Sequence, residues 1–153
     1  MPAVGLETRG ADDLAKLARR LKEVGDKGLR RELYRGMQRA TKPMKAAGRR
    51  AALADFPQRG GLNVRIARSR MSTKTRTAGK SLGVAIVVSS PLDLKAIERG
   101  RVRHPVFGNR KVWVTQDVKP HVITGAFAAD EPQARREILA AIGDVARKLE
   151  AHL

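Results

Sequence analysis

Apolar residues recur every three or four positions through the first third of the chain, the period of amphipathic helices. Leu14, Leu17, Leu21 and Val24 keep this spacing and predict a helix over Ala11–Val24. Asp12 and Asp13 suit its positive N-terminal end, and Gly25 stops it. A longer stripe of Leu29, Leu33, Met37, Ala40, Met44, Ala47 and Ala51 predicts a second helix from about Lys27 to Ala54. Arg31, Arg35, Arg39, Lys42, Arg49 and Arg50 occupy much of its remaining surface. Pro43 removes a backbone donor within that run. Because the stripe continues past it, the expectation is a kink and not two helices.

The segment Phe56–Gly61 is a break, and the period changes after it. Leu62, Val64 and Ile66 alternate with Asn63, Arg65 and Arg68, which predicts a half-exposed strand. Thr73–Ser81 is polar and cationic, as a mobile loop would be. Leu82–Ser89 is an apolar, β-branched run fit for a central strand. Pro91–Arg99 suggests a short helix ending at Gly100. Val102–Phe107 and Lys111–Gln116, separated by Gly108-Asn109-Arg110, read as a β-hairpin. A last helix is predicted with Asp130 as N-cap, Pro132 in its first turn and Ile138, Ile142, Val145 and Leu149 as its buried stripe. The order implies an α+β fold: long N-terminal amphipathic helices, a small antiparallel sheet with a β-hairpin, and a C-terminal helix packed on the sheet. One domain is expected over residues 1–153, made of a helical part (11–54), a sheet part (61–128) and the last helix (130–153).

Composition narrows the function classes. Phe, Trp and Tyr number 3, 1 and 1, so the core must be built from Ala, Val, Leu and Ile, which favours close helix packing over large pockets. No apolar run of about 18 residues is present, so no membrane span and no membrane partner are expected. The absence of cysteine removes disulfides, thiolate chemistry and the usual zinc sites. With no apolar stretch in Met1–Gly10, the expectation is a protein made and used in a cytosol. Charge is the most unusual feature, 32 basic against 15 acidic residues for a net +17. Met1–Gly60 carries 15 basic and 7 acidic residues (+8), Gly61–Pro120 13 and 3 (+10), and His121–Leu153 4 and 5 (−1). A field of this size favours polyanions or acidic protein surfaces as partners.

Little in the chain points to catalysis. Asp55, Asp93, Glu98 and Asp117 are the only acids between residues 50 and 125, and nothing marks a pair for acid–base work. His104, His121 and His152 are too scattered to suggest a metal site. Gly79-Lys80-Ser81 ends like a phosphate-binding loop, but Lys74 stands where that motif needs its first glycine. No catalytic residue, cofactor or metal is therefore expected. An enzyme would be betrayed by a deep pocket grouping Asp93, Asp117 and His104. The basic loop residues Arg65, Arg68, Arg70, Lys74, Arg76 and Lys80 offer phosphate contacts and salt-sensitive binding. No exposed aromatics are interleaved with them for base stacking, so the alternative function is non-specific nucleic-acid binding.

The most distinctive segment runs from Glu98 to Phe127. It reads Glu98-Arg99-Gly100, then Arg103-His104-Pro105-Val106-Phe107-Gly108-Asn109-Arg110, then Trp113-Val114-Thr115-Gln116, and ends at Pro120 and Phe127. It resembles the tail-completion or neck proteins of long-tailed siphophages, of the minor tail protein Z type. In that family a helical N-terminal half, a Pro/Gly-Gly-Leu break (here Pro57 to Leu62), a basic strand, the hairpin and a C-terminal helix follow in this order. Members often carry Pro-Gly plus an aromatic where this chain has Pro120-His121-Val122. The resemblance spans essentially the whole chain. It implies a virion structural protein at the head–tail junction, assembled in the host cytoplasm. It would form a homo-oligomeric ring that joins the tail to the head connector. The implied partners are sister copies, the connector, tail-terminator or tail-tube proteins and, non-specifically, genome DNA. Apart from the resemblance, Phe107 and Trp113 can meet across the hairpin and anchor it on the helices, and His104, Pro105, Phe107, Gly108, Trp113 and Gln116 either only shape the fold or also present a docking edge to a neighbouring subunit.

Overall fold

The structure, a computed structural model, describes residues 3–6, 11–76, 83–106 and 108–152. Its elements run β1 (Ala3–Leu6), α1 (Ala11–Val24), α2 (Lys27–Asp55), α3 (Leu62–Ala67), β2 (Arg70–Arg76), β3 (Gly83–Ser89), α4 (Leu94–Glu98), β4 (Arg101–Val106), β5 (Asn109–Asp117) and α5 (Val122–Ala151). The fold is α+β, with a three-stranded sheet in the order β1-β3-β2 and a separate two-stranded sheet, β4-β5.

The two long helices form as their apolar stripes require. In α1, Leu14, Leu17 and Leu21 are buried, whereas Val24 in the last turn is exposed. Asp26 caps α2 by accepting from the Leu29 N–H at 2.9 Å. The helix then continues through Pro43 as one element of 29 residues. Its buried line is Leu29, Leu33, Met37, Ala40 and Met44, then Gly48 and Ala52; the expected Ala47 and Ala51 are only half-buried. That late shift has a packing cause, because the Phe127 ring of α5 lies against Gly48, and Ala141 lies against Gly36. Small residues at these two crossings let α2 and α5 pack closely along their length.

The C-terminal helix starts eight residues before the expected Asp130, so Pro132 lies inside it and Asp130 is not its cap. Val122, Ile123 and Phe127 are buried with Ala134, Ile138, Ile142, Val145 and Leu149, which extends the predicted stripe back toward the N-terminus. The cap comes from another element. Both carboxylate oxygens of Glu98 serve this terminus, one accepting from the Ile123 N–H (3.0 Å), the other from the Thr124 N–H (3.1 Å) and hydroxyl (2.7 Å). Besides lying on α2, α5 reaches the three-stranded sheet at β1.

In that sheet β3 is central, as expected from its apolar run, and pairs antiparallel with both neighbours. The strand β1 was not anticipated; four residues gain a strand identity only by pairing with the open edge of β3 (Ala3↔Val87 to Leu6↔Val84). Two expectations between the break and β3 are corrected. Leu62–Ala67 is helical, not extended: Gly61 takes the left-handed conformation at its start (φ 75°), and Asn63, Ile66 and Ala67 are the buried residues, a spacing of three and four. Thr73–Arg76 belongs to β2 and is not loop, while the rest of the expected loop, with Lys80, lies outside the described residues. Thr73 is held from both sides, paired with Ile86 in the sheet and with its hydroxyl 2.6 Å from that of the fully buried Thr41 on α2. β-Branched threonine suits such a half-buried strand without adding an apolar signal.

Asp93 caps the short α4, accepting from the Ala96 N–H, and Leu94 and Ile97 are buried. The hairpin forms where predicted, Arg101↔Asp117 through Pro105↔Trp113, with a register shift between Pro105 and Val106. Gly108 supplies the positive φ (78°) of its turn.

Candidate functional site

Pairing within the hairpin decides which side chains share a face. Arg103, Pro105, Trp113 and Thr115 lie on one side, and Val102, His104, Val114 and Gln116 on the other. All nine residues of β5 are exposed, including Val112 at 49%, Trp113 at 46% and Val114 at 40%. The ribbon rises from the body through α4, its main neighbour. It is tied down at its base by the Val118 N–H donating to the Gly100 carbonyl (2.8 Å).

The expected anchoring of the hairpin on the helices is therefore corrected: Trp113 packs within the ribbon. The Arg103 guanidinium lies 5.3 Å from the Trp113 ring centroid, and the indole N–H donates to the Arg110 carbonyl at 2.7 Å. Phe107, its expected partner, lies outside the described residues. His104 Nδ1 sits 3.1 Å from the Pro105 carbonyl, a contact made when that nitrogen carries the proton.

Between the hairpin and the Pro57–Leu62 break lies a cleft of about 590 Å³. Pro57, Leu62 and Leu92 line it from the body, and Val102 and Pro105 from β4. Arg59 and Arg65 approach from the break and α3, and Arg103 and Arg110 from the hairpin. His104, Trp113 and Gln116 complete it. Of the predicted docking residues, His104, Pro105, Trp113 and Gln116 thus gather at one cleft, while Gly108 stays at the exposed turn. Neither Asp93 nor Asp117 lines it. Sequence reasoning missed Arg59, Arg103 and Arg110 as members. The signal for the first was its place in the Pro57–Leu62 break.

The predicted basic loop is not one feature. Arg65 belongs to α3 and reaches the cleft, and Arg68 ends that helix. Arg70, Lys74 and Arg76 alternate along the exposed face of β2, an edge strand of its sheet. Charge on an edge strand discourages unwanted strand pairing, a sufficient structural role. Cations also crowd α2, where burial and, second, the Arg49 charge lower the pKa of Lys45 from its ordinary value.

Among the described residues no group of three metal-ligating side chains assembles, and no helix is long and apolar enough to cross a membrane. No protein-family model, curated protein or solved structure matches the chain.

Proposed function

We propose that the chain is a bacteriophage virion structural protein of the head–tail junction, a tail-completion or neck component that assembles as a ring and joins the tail to the head connector. The observation that carries this reading is the hairpin. A two-stranded ribbon is marginally stable by itself, yet this one projects Val112, Trp113 and Val114 into solvent. Apolar side chains held out on an exposed ribbon are suited to burial against a neighbouring subunit. A second observation supports the family resemblance. Where members often carry Pro-Gly, this chain has Pro120-His121, and His121 adopts φ 54°, the left-handed conformation that glycine favours. Repetition of one such contact around a ring would multiply a weak interaction.

Non-specific nucleic-acid binding is the rival, favoured by the exposed row Arg31, Arg35, Arg39 and Lys42 along α2. Immunogold labelling of particles from the phage or prophage encoding the chain separates the two. The expected result is label at the head–tail junction, lost when Val112 and Val114 are both changed to Asp. A monomer absent from particles that binds DNA tightly and with steep salt dependence would support the rival instead.

A further inference from the structure

Arg59, Arg65, Arg103 and Arg110 are four arginines among the residues lining the cleft beside the hairpin, and none of the described residues lining it is Asp or Glu. Like charges gathered around one concavity repel each other until an anion enters, and guanidinium is the side chain best shaped to grip carboxylates. The floor below them is aliphatic, formed by Pro57, Leu62, Leu92, Val102 and Pro105. A cleft of about 590 Å³ falls in the size range that encloses a small ligand. An occupant that satisfies both parts must carry carboxylates and an apolar side chain together.

A nucleic-acid strand answers only the first requirement. Beyond phosphate charge, single strands bind through base stacking on aromatic rings. The aromatic ring lining this cleft is Trp113, one lone ring with the Arg103 guanidinium 5.3 Å from its centroid and its N–H donated to the Arg110 carbonyl. Prolines and aliphatic side chains do not stack bases. A second copy of the chain also fits poorly. Asp26, Asp93 and Glu98 cap helices, and Glu32, Asp55, Glu131 and Asp144 pair with basic residues of their own chain, so a sister copy would have to reach the arginines with its remaining exposed acids, such as Asp12, Asp13 and Glu23.

We propose that this cleft binds an acidic segment of a different protein, its carboxylates reaching the arginines and an apolar side chain lying on the floor between the break and Pro105. The proposal needs the cleft alone and stands whether or not the head–tail reading holds.

Trp113 is the single tryptophan of the chain, so its intrinsic fluorescence reports occupancy directly. The full chain is titrated with a short synthetic peptide alternating Asp and Leu, with the same peptide carrying Asn for Asp, and with single-stranded oligothymidylate. The expected result is a saturable emission change with the Asp–Leu peptide and at least about tenfold weaker binding of the Asn version. Combining Arg59→Glu with Arg65→Glu, both exposed, should weaken the Asp–Leu peptide by a similar factor with unchanged thermal melting. Arg50→Glu, exposed on α2 and outside the cleft, should leave it unaffected. The proposal is overturned by no saturable change, or by equal binding of the Asp and Asn peptides. It is equally overturned if oligothymidylate binds more tightly through Arg59 and Arg65. Loss of self-association in the double variant on sedimentation would make the occupant a sister copy, which also defeats it.

Discussion

A Cβ added at Gly48 would come within 2.6 Å of Phe127 Cε1 and 3.2 Å of Cζ, while one added at Gly125 would meet nothing within 4 Å. Both glycines lie in long helices, where alanine is intrinsically favoured by up to about 1 kcal/mol. At Gly48 that gain is opposed by overpacking of about 1–3 kcal/mol, because the Phe127 ring is fully buried and cannot step aside. The same substitution should therefore have opposite signs at the two positions. Gly48→Ala is expected to lower the melting temperature by several degrees, and Gly125→Ala to raise it by about 2 °C, both followed by circular dichroism. Equal shifts would mean that the α2–α5 contact is looser than its geometry. A similar logic applies to Glu98, a surface acid in the sequence whose carboxylate closes the N-terminus of a helix 25 residues away.

At the scale of elements, stability is divided unevenly. The α2–α5 pair and β3 hold most of the buried apolar side chains, whereas every residue of β5 is exposed. Local opening costs least where few buried contacts must be broken. Native-state hydrogen exchange should accordingly find the amides of β4 and β5 at least about tenfold less protected than those in the middle of α2 and α5. Binding of a partner to the hairpin or its cleft should raise that protection selectively. Uniform protection across the chain would show the ribbon to be part of the cooperative core, and would remove the main reason for treating it as a docking element.

Over the whole molecule, charge opposes compactness. The excess of +17 is concentrated before residue 121, and the ion pairs among the described residues are exposed or partly exposed ones that each contribute little. Self-repulsion between exposed charges is screened over about 10 Å at 0.1 M salt. The melting temperature should rise by a few degrees between low salt and about 0.5 M sodium chloride, with sulfate acting more strongly than chloride. A fall with salt would mean that attractive pairs outweigh the repulsion. The same imbalance makes acidic neighbours favourable for any assembly of several copies, the proposed ring included.

Periodicity alone determined α1, α2 and β3, because each buries a stripe or run whose spacing matches its own geometry, whereas the hairpin, exposed along all of β5, was marked by its Gly108-Asn109-Arg110 turn. The motif of that segment also marked four cleft residues, His104, Pro105, Trp113 and Gln116, though only as members of one hairpin. Tertiary structure decided the rest. Leu62, Val64 and Ile66 alternate like a strand, but burying Asn63, Ile66 and Ala67 together requires a helix. An Asp two residues before a Pro, as in Asp130-Glu131-Pro132, looks the same at a helix start and in a helix interior. The carboxylate of Glu98 moved that start back to Val122. Thr73 and Ala3–Leu6 became strand because β3 had edges to fill. A short-range pattern records what a segment can bury, whereas which partner arrives to be buried against it depends on distant parts of the chain.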